Sequence, residues 1–213
     1  MAAAIKLIVG LGNPGPEHWL TRHNAGFWFA DALAGKYALQ FRRAAKFHAE
    51  VCRLAISTWD CYLCKPESFM NESGRAVQAI ASFYKITPEE ILVVHDEIDL
   101  PPGVVRLKQG GGHGGHNGLR DIIEVLGDSN FNRLRIGVGH PGSSEQVVGH
   151  VLNRAPSTEE DLIMQGIAAV LEYVPQILAG ELQLVMNKLH RSEKLEVESE
   201  RVKKESEKRQ EGE

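Results

Sequence analysis

Two short apolar runs, Ile5–Val9 and Ile91–Val94, constrain the fold more than any other feature of this sequence. Gly10 ends the first run, and the polar triplet His95-Asp96-Glu97 follows the second. An apolar run without regular polar alternation predicts a strand that is buried on both faces. Such strands are typical of parallel sheets that helices cover on both sides. We therefore expect an α/β fold built around these two strands.

Helical and strand-like segments alternate along the rest of the chain. Apolar residues recur at helical spacing in 24–37, 73–84, 119–126 and 157–180. Pro175 is expected to bend the last of these helices. Strand-like runs occupy 49–56, 60–64, 104–109 and 134–138, and the first two predict a hairpin. This alternation predicts a single three-layer α/β domain over residues 1–190, with a mixed, mostly parallel sheet flanked by helices.

The charged residues divide the chain into this domain and a tail. Residues 191–213 contain 7 Lys/Arg and 8 Glu with few aliphatic residues, so they cannot bury a core. We expect a solvated or transiently helical tail there. The formal net charge of the whole chain is −4, which excludes a strongly basic nucleic-acid binder at the level of bulk composition.

The sequence also indicates a compartment. It shows no basic and apolar leader, and no apolar run approaches the roughly 18 residues of a membrane helix. The three cysteines, Cys52, Cys61 and Cys64, are an odd number in a chain long enough to fold without disulfides. We expect reduced thiols in a cytoplasmic protein that does not bind a membrane.

A glycine-rich loop follows the first predicted strand. Gly10–Gly15 matches the pattern G-x-G-x-x-G, which on its own suggests a dinucleotide site. Such a site needs a second strand that ends in an acidic residue about 20 positions later, to hold the ribose. Here residues 30–33 lie in a helical pattern instead. The remaining interpretations are a tight loop, or a loop that exposes Asn13 as a functional residue.

Polar side chains gather where ligands bind in open α/β sheets, beyond the carboxyl ends of the strands. Asn13 follows the first strand and Asp96 follows the Ile91–Val94 strand, so parallel strands would place both at one edge. His23, Asn71 and Asn117 each precede a predicted helix at that edge. Taken singly, the asparagines before the helices (Asn24, Asn71 and Asn117) are also the residues expected to cap them.

This set of residue types favours hydrolysis. A carboxylate beside an imidazole fixes the tautomer of the ring and makes it a better base near neutral pH, which is the combination that Asp96 and His23 offer. Neutral amides can hold a carbonyl or a water. Because no serine or cysteine occupies a strand-to-helix elbow, we expect a water activated by a general base to attack a carbonyl.

A metal site is not expected. Cys61 and Cys64 would face opposite sides of a strand. His113 and His116 lie in a loop without a clear third ligand, whereas a structural zinc site needs four close ligands. We therefore predict a reaction without a metal or other cofactor.

Six blocks of residues, in order, resemble one family. They are Gly10–Gly15, Thr21–Gly26, Phe69–Gly74 after Lys65-Pro66, His95–Pro101, Gly110–Gly118 and Arg133–Gly137. Over residues 5 to 190 the chain resembles the bacterial-type peptidyl-tRNA hydrolases. The resemblance implies a monomeric, cofactor-free α/β enzyme of translation that cleaves the ester between peptide and tRNA. This reaction recycles tRNA from peptides that stalled ribosomes have dropped.

The resemblance also implies roles for individual residues. His23 would be the general base, Asp96 would orient it, and Asn13 would hold water or peptide. Asn71 would bind the peptide main chain and the developing oxyanion, and Asn117 would position water and substrate. A further group would bind substrate: Phe69, Met70 and His116 around the terminal adenosine and first peptide residues, and Lys108 and Arg135 as a clamp for the tRNA 5′-phosphate.

The chain departs from the family pattern at one position and leaves one alternative open. His18 stands where family members commonly carry tyrosine, which leaves any binding role of that ring in doubt. A non-catalytic RNA-binding module of the same fold is the alternative, because fold alone does not determine function. Although the whole chain is acidic, basic residues flank a second glycine-rich segment, Gly110–Gly118, which we name the glycine loop. These residues are Arg106, Lys108, Arg120, Arg133 and Arg135, and we expect them to make few phosphate contacts.

Overall fold

The fold follows from strands and helices that alternate as the sequence predicts. This computed structural model describes residues 3–57 and 59–189. Its strands are β1 Leu7–Gly10, β2 Arg42–Ala44, β3 Ala49–Ile56, β4 Trp59–Pro66, β5 Ile91–Glu97, β6 Val105–Gln109 and β7 Asn132–Gly137. Its helices are α1 Ala25–Lys36, α2 Ser73–Tyr84, α3 Asn117–Leu126, α4 Val147–Leu152, α5 Ser157–Leu171 and α6 Val174–Leu178, and residues 182–189 are also helical.

The strands form one mixed sheet in the order β2-β3-β4-β1-β5-β7-β6. The central strands β4, β1, β5 and β7 are parallel, whereas β3 and β6 are antiparallel to their neighbours. Five of the seven strands therefore run in the same direction, because β2 is again antiparallel to β3. This arrangement confirms the predicted fold class. It also brings the carboxyl ends of β1, β5 and β7 to one edge of the sheet.

The two faces of the sheet bury separate apolar layers. In β1, Ile8 packs with α1, α5 and α6, whereas Leu7 and Val9 pack with α2 and α3. The same division holds in β5, where Leu92 faces the first layer and Val93 the second. Strands buried on both faces explain the continuous apolar runs in the sequence. Helices on both faces give the three predicted layers.

The glycines of the first loop are explained by close packing. A β-carbon at Gly10 would lie 2.3 Å from the carbonyl oxygen of Gly26 in α1, and one at Gly12 would lie 2.6 Å from the ring of Phe27. Of the loop's three glycines, Gly15 alone has a positive φ, 104°. The G-x-G-x-x-G pattern therefore allows α1 to approach β1. About 20 positions after this loop, where a dinucleotide fold needs the acidic end of a second strand, the chain is still in α1.

The structure differs from the sequence predictions in several segments. The predicted helix from Ser157 to Gly180 is two helices, because Pro175 lies in the first turn of α6, where its missing N–H costs no hydrogen bond. The short elements β2 and α4 were not predicted, since three and six residues carry too little periodicity. The hairpin of β3 and β4 is confirmed.

Three further expectations concern the C-terminal tail, membrane-spanning helices and the cysteines. The predicted tail at 191–213 lies outside the described residues. Within the described ranges, no helix has both the length and the apolar character needed to cross a membrane. Cys52, Cys61 and Cys64 are all free and buried, and the last two point to opposite faces of the sheet, as the strand pattern predicted.

Candidate active site

A cleft of about 880 Å³ opens at the carboxyl edge of the parallel strands. Its lining includes every residue that the sequence assigned to the site: Asn13, His18, His23, Phe69, Met70, Asn71, Asp96, Lys108, His116, Asn117 and Arg135. Three-residue turns before α1 and α2 carry His23 and Asn71, and Asn117 is the first residue of α3. The topology thus brings together side chains that are up to 122 positions apart in the chain.

The centre of the cleft is a buried carboxylate held between two imidazoles. The Nδ1 atom of His23 lies 2.9 Å from both carboxylate oxygens of Asp96. On the other side, Nε2 of His116 lies 3.0 Å from Oδ1 of Asp96. The sequence placed His116 among the substrate contacts only. The structure adds a direct hydrogen bond to Asp96, which joins three residues into one network.

This network determines the tautomer of each ring. The backbone N–H of Leu119 donates to Nδ1 of His116 at 3.3 Å, so the ring proton of neutral His116 lies on Nε2 and is donated to Asp96. An ionised Asp96 only accepts hydrogen bonds, so His23 must donate to it through Nδ1. The lone pair of neutral His23 is therefore on Nε2, across the ring from Asp96. This is the arrangement that a general base needs.

Burial and charge act in opposite directions on the His23–Asp96 pair. Burial alone lowers the pKa of His23, but the charge and hydrogen bond of Asp96 outweigh it and raise that pKa above its usual 6.5. For Asp96, burial alone raises the pKa, and attraction to His23 and His116 reverses this, so the pKa lies well below 3.8. Asp96 is therefore ionised throughout the neutral range, whereas His23 keeps its proton to a higher pH than an ordinary imidazole does.

A third imidazole lies behind this pair. His95 is fully buried, its Nδ1 atom lies 2.7 Å from the backbone oxygen of Asp96, and its ring packs edge-on against His116. Burial first, and then repulsion from His116, lower the pKa of His95 to about 3. His95 is therefore neutral at physiological pH, and Nδ1 donates to the Asp96 carbonyl. From the sequence, His95 is only part of the polar triplet that follows the strand and has no role of its own, whereas the structure includes His95 in β5.

Asn13 is held from two sides. The side chain of Asn24, which is 1% exposed, accepts from the backbone N–H of Asn13 at 2.8 Å and donates to its carbonyl at 2.9 Å. The side-chain oxygen of Asn13 in turn accepts from the N–H of Met70 at 2.8 Å. Because that oxygen is occupied, Asn13 can offer its NH₂ group to a ligand in the cleft.

The asparagines do not cap the helices through their side chains, contrary to the sequence-based expectation. Asn24 stands at the N-cap of α1 but its side chain bonds Asn13, and Asn71 is not at the N-cap position of α2. His116 caps α3, where Asn117 was expected to do so. The hydrogen bonds of Asn24 go instead to the backbone of the site, and neither Asn71 nor Asn117 acts as a cap.

Asn71 and Asn117 are exposed at the cleft. The side-chain oxygen of Asn117 accepts from Arg120 at 3.1 Å, which leaves its NH₂ group for a ligand. No hydrogen bond within the described part of the chain involves the side chain of Asn71. With Asn13, these residues present three amides to the cleft, two of them oriented as donors.

Aromatic and apolar side chains form one rim of the cleft. Phe69 is 58% exposed, whereas Met70 is buried next to Gly118. The ring of His18 stands edge-on to Phe69, with the two centroids 6.3 Å apart, and lies 3.7 Å from Glu17. The cleft is also lined by apolar residues of α4, which the sequence did not reveal and which we name the α4 wall: Val147, Val148, Val151 and Leu152.

Lys108 and Arg135 lie on neighbouring antiparallel strands, β6 and β7. The register pairs Lys108 with Arg133 and Arg106 with Arg135, so all four cations share one face of the sheet. Arg135 lies 3.7 Å from Glu97, and Arg133 donates to the backbone oxygens of Gly111 and Gly112. Arg133 thus anchors the glycine loop, while Lys108 is exposed at the cleft.

The described residues contain one group of side chains that could hold a metal ion, His23, Asp96 and His116, with ligand atoms within 4.8 Å of one another. From the sequence, the pair of His113 and His116 has no clear third ligand. The fold places His116 beside His23 and Asp96 from distant segments, and His113 is not part of this group. A metal would have to displace the protons by which both imidazoles bond Asp96. The absence of a cofactor remains a prediction.

Comparison with known proteins decides the family. A family model described as "Peptidyl-tRNA hydrolase" matches residues 7–198. The peptidyl-tRNA hydrolase of Neisseria meningitidis serogroup B (strain ATCC BAA-335 / MC58) is 52% identical over 190 residues, which are 89% of this chain and 99% of that protein. This chain belongs to the peptidyl-tRNA hydrolase family. The resemblance inferred from six sequence blocks is confirmed.

Two further relatives agree with this assignment. The peptidyl-tRNA hydrolase of Halorhodospira halophila is 53% identical over 185 residues, covering 87% of this chain and 95% of the relative. The crystal structure of the Acinetobacter baumannii peptidyl-tRNA hydrolase superposes with a TM-score of 0.84 at 52% identity, covering 87% of this chain and 94% of that one. The predicted enzyme class is therefore confirmed with the family.

Proposed function

We propose that this chain hydrolyses peptidyl-tRNA by using His23 as a general base toward water. The observation that carries this proposal is the His23–Asp96 pair, which leaves the Nε2 lone pair of His23 on the side away from the carboxylate. Water held at Nε2 loses a proton to His23 as its oxygen attacks the ester carbonyl and forms a tetrahedral intermediate. When that intermediate collapses, the ester C–O bond to the ribose breaks, and the imidazolium of His23 returns the proton to the leaving ribose oxygen. Asp96 stabilises the imidazolium that results, and it does so without being protonated.

The amides around His23 receive the charge that develops on the carbonyl oxygen. Asn71 is proposed as the oxyanion donor, because its side chain has no other hydrogen bond within the described residues. Asn13 and Asn117 hold the water or the peptide main chain through their NH₂ groups, since their side-chain oxygens are occupied. These hydrogen bonds already fix the amides of Asn13 and Asn117, so both can hold a ligand without reorganisation.

The tRNA end and the peptide end of the substrate would contact different parts of the cleft. The tRNA side fits the cationic face of β6 and β7, where Lys108 and Arg135 would clamp the 5′-phosphate. Phe69, Met70 and His116 would contact the terminal adenosine and the first peptide residues, with His18 beside them. We further propose, from the family resemblance, that the protein acts as a monomer. We place it in the cytoplasm because dropped peptidyl-tRNA must be recycled there.

The decisive experiment compares steady-state hydrolysis of N-acetyl-aminoacyl-tRNA by the wild type and by His23→Ala. Proton abstraction contributes typically 10²- to 10⁴-fold, so His23→Ala should lose roughly that factor in kcat. Near-normal turnover in the variant would show that another group is the base. Binding of the tRNA with no hydrolysis by the wild type would favour the non-catalytic RNA-binding module.

Two matched measurements complete this test. Asn71→Ala should lose on the order of 10²- to 10³-fold in kcat, the usual cost of one oxyanion donor. Wild-type hydrolysis should be unchanged after exhaustive treatment with a chelator. Activity that disappears with the chelator and returns with a divalent cation would contradict a reaction carried by His23 and Asp96 alone.

A further inference from the structure

Arg22 is a buried cation next to the proposed base that the mechanism does not use. Its side chain is 8% exposed and forms an ion pair with Glu159, with Nη2 at 2.8 Å from the carboxylate. Its Nη1 atom donates to the backbone oxygens of His150, Asn153 and Arg154 at 3.2, 3.4 and 3.2 Å. The guanidinium of Arg22 therefore links three structural parts: the turn that carries His23, the C-terminal end of α4, and α5.

These carbonyls lie at the end of α4 that supports the α4 wall of the cleft. The last turn of a helix leaves carbonyls without partners and carries partial negative charge, which a cation stabilises. The backbone strengthens the junction, because the N–H of Arg22 donates to Asn153 at 3.3 Å and Thr21 forms a β-bridge with Arg154. On its other side α4 is held through His150, whose Nε2 lies 3.1 Å from the oxygen of Val138.

We propose that Arg22 is a positioning residue that sets the distance between the α4 wall and His23, and thereby the fit of the peptide part of the substrate. The proposal rests on the function proposed above, because it treats the space between α4 and His23 as the substrate site. The side-chain hydrogen bonds of Arg22 within the described residues go to the end of α4 and to Glu159, and none of them goes to Asp96 or another polar group proposed for the reaction. Its effect is therefore on binding, whereas that of His23 is on the chemical step.

Arginine is required for this role by geometry. Its planar guanidinium carries donors in a fixed fork that reaches several carbonyls and a carboxylate at once. Lysine keeps the charge, but its three donors share one nitrogen, so it does not reproduce the fork in which Arg22 directs one nitrogen to the end of α4 and the other to Glu159. Arg22→Lys keeps the positive charge but loses the geometry of the junction. The variant therefore tests the geometry alone.

The test is a comparison of KM and kcat for Arg22→Lys with N-acetyl-aminoacyl-tRNA. We expect KM to rise on the order of tenfold, as for the loss of a hydrogen bond to a charged group, with kcat within about twofold and the acid limb of the pH profile unmoved. An unchanged KM in a folded variant would overturn the proposal. His23→Ala lowers kcat instead, so the two proposals can fail separately.

A matched control comes from the same segment. Arg154 forms an exposed ion pair with Glu160 at 3.0 Å, with its side chain 60% exposed. Arg154→Gln should leave both KM and kcat unchanged. A tenfold rise in KM in that control would show that any charge lost from this segment weakens binding, which would also overturn the special role of Arg22.

A double-mutant cycle keeps the proposal testable if Arg22→Lys is too unstable to assay. Val148 in the α4 wall is 65% exposed, so Val148→Ala should not affect folding. Glu159→Gln keeps the size of the side chain and removes the negative charge from the ion pair that links Arg22 to α5. If Arg22 acts through the α4 wall, the effects of Glu159→Gln and Val148→Ala on KM will not be additive. Additive effects would contradict the coupling.

Discussion

Two charged pairs of similar geometry differ completely in what surrounds them. At the carboxyl edge of the sheet, His23 lies 2.9 Å from Asp96, and both residues are buried. On the hairpin of β3 and β4, Arg53 lies 2.5 Å from Asp60, with side chains 62% and 48% exposed. Register places Arg53 and Asp60 diagonally across the two strands, a common position for opposite charges. The shorter contact is therefore the one in water.

The contrast shows that burial, more than distance, decides what a charged contact can do. The hydrogen bond from Arg53 lowers the pKa of Asp60, but water screens that pair. The pKa of Asp96 is lowered against a burial effect that acts in the opposite direction, so its charge depends on His23 and His116. Removal of a partner from the buried network therefore alters chemistry, whereas removal of Arg53 alters a solvated surface.

The largest expected effect is that of Asp96→Asn. The amide preserves shape but removes the charge that raises the pKa of His23 and can favour the wrong tautomer of its ring. We expect kcat to fall on the order of 10²- to 10⁴-fold, the range assigned to general base catalysis. The control is Asp60→Asn, which removes the exposed carboxylate. An equal loss of kcat in the two variants would contradict the proposed difference between the buried and the exposed pair.

A second prediction concerns the buried amide network beside the base. Asn24→Ala leaves the backbone N–H and C=O of Asn13 without partners, so the free energy of unfolding should fall by about 1–3 kcal/mol. Urea denaturation measures this change. Asn153 is the control, because its exposed side chain donates to Gly149 at 2.7 Å and Asn153→Ala should cost within about 0.5 kcal/mol. Equal costs would contradict the importance of burial.

The pH dependence of activity gives the third prediction. His23 must be neutral to accept a proton, and its pKa is raised above 6.5. The value of kcat/KM should therefore fall about tenfold per pH unit below an apparent pKa that exceeds 6.5. In Asp96→Asn, burial acts on His23 without the opposing charge, so this limb should shift to lower pH. In Asp60→Asn it should stay in place.

The same pKa shifts also predict how the free energy of unfolding depends on pH. A raised pKa of His23 means that its stabilising contribution is present below pH 6.5 and is lost as the pH rises through the folded-state value. A lowered pKa of Asp96 means that its contribution is present above pH 3.8 and is lost as the pH falls through the folded-state value. The buried pair should therefore stabilise the fold most between pH 3.8 and 6.5, as urea titrations at several pH values would measure.

The smallest expected effect is that of Arg53→Gln. Exposed ion pairs contribute little, because water and salt screen them and two long side chains lose freedom. We expect no measurable change in Tm or kcat, whether the buffer is low or high in salt. A clear loss of Tm that salt suppresses would show that this exposed pair matters, and would weaken the contrast on which the other predictions depend.

Much of the site could be predicted because its residues lie in recognisable positions along the chain. Asn13 and Asp96 follow strands, and His23, Asn71 and Asn117 precede helices, so their convergence at one edge follows from a parallel sheet. The second role of His116 could not be predicted in this way. It depends on how the glycine loop brings α3 to β5, and no local pattern describes that approach.

The sequence by itself determined the alternation of buried strands with helices, the residue types at the carboxyl edge, and the family. These are local properties, set by periodicity and by short motifs that keep their order. Tertiary structure alone decided that Asn24 holds Asn13, that Asp96 is shared by two imidazoles, and that Arg22 grips α4. Such contacts join segments up to 137 positions apart, and their strength depends on burial, which exists only once the layers have packed.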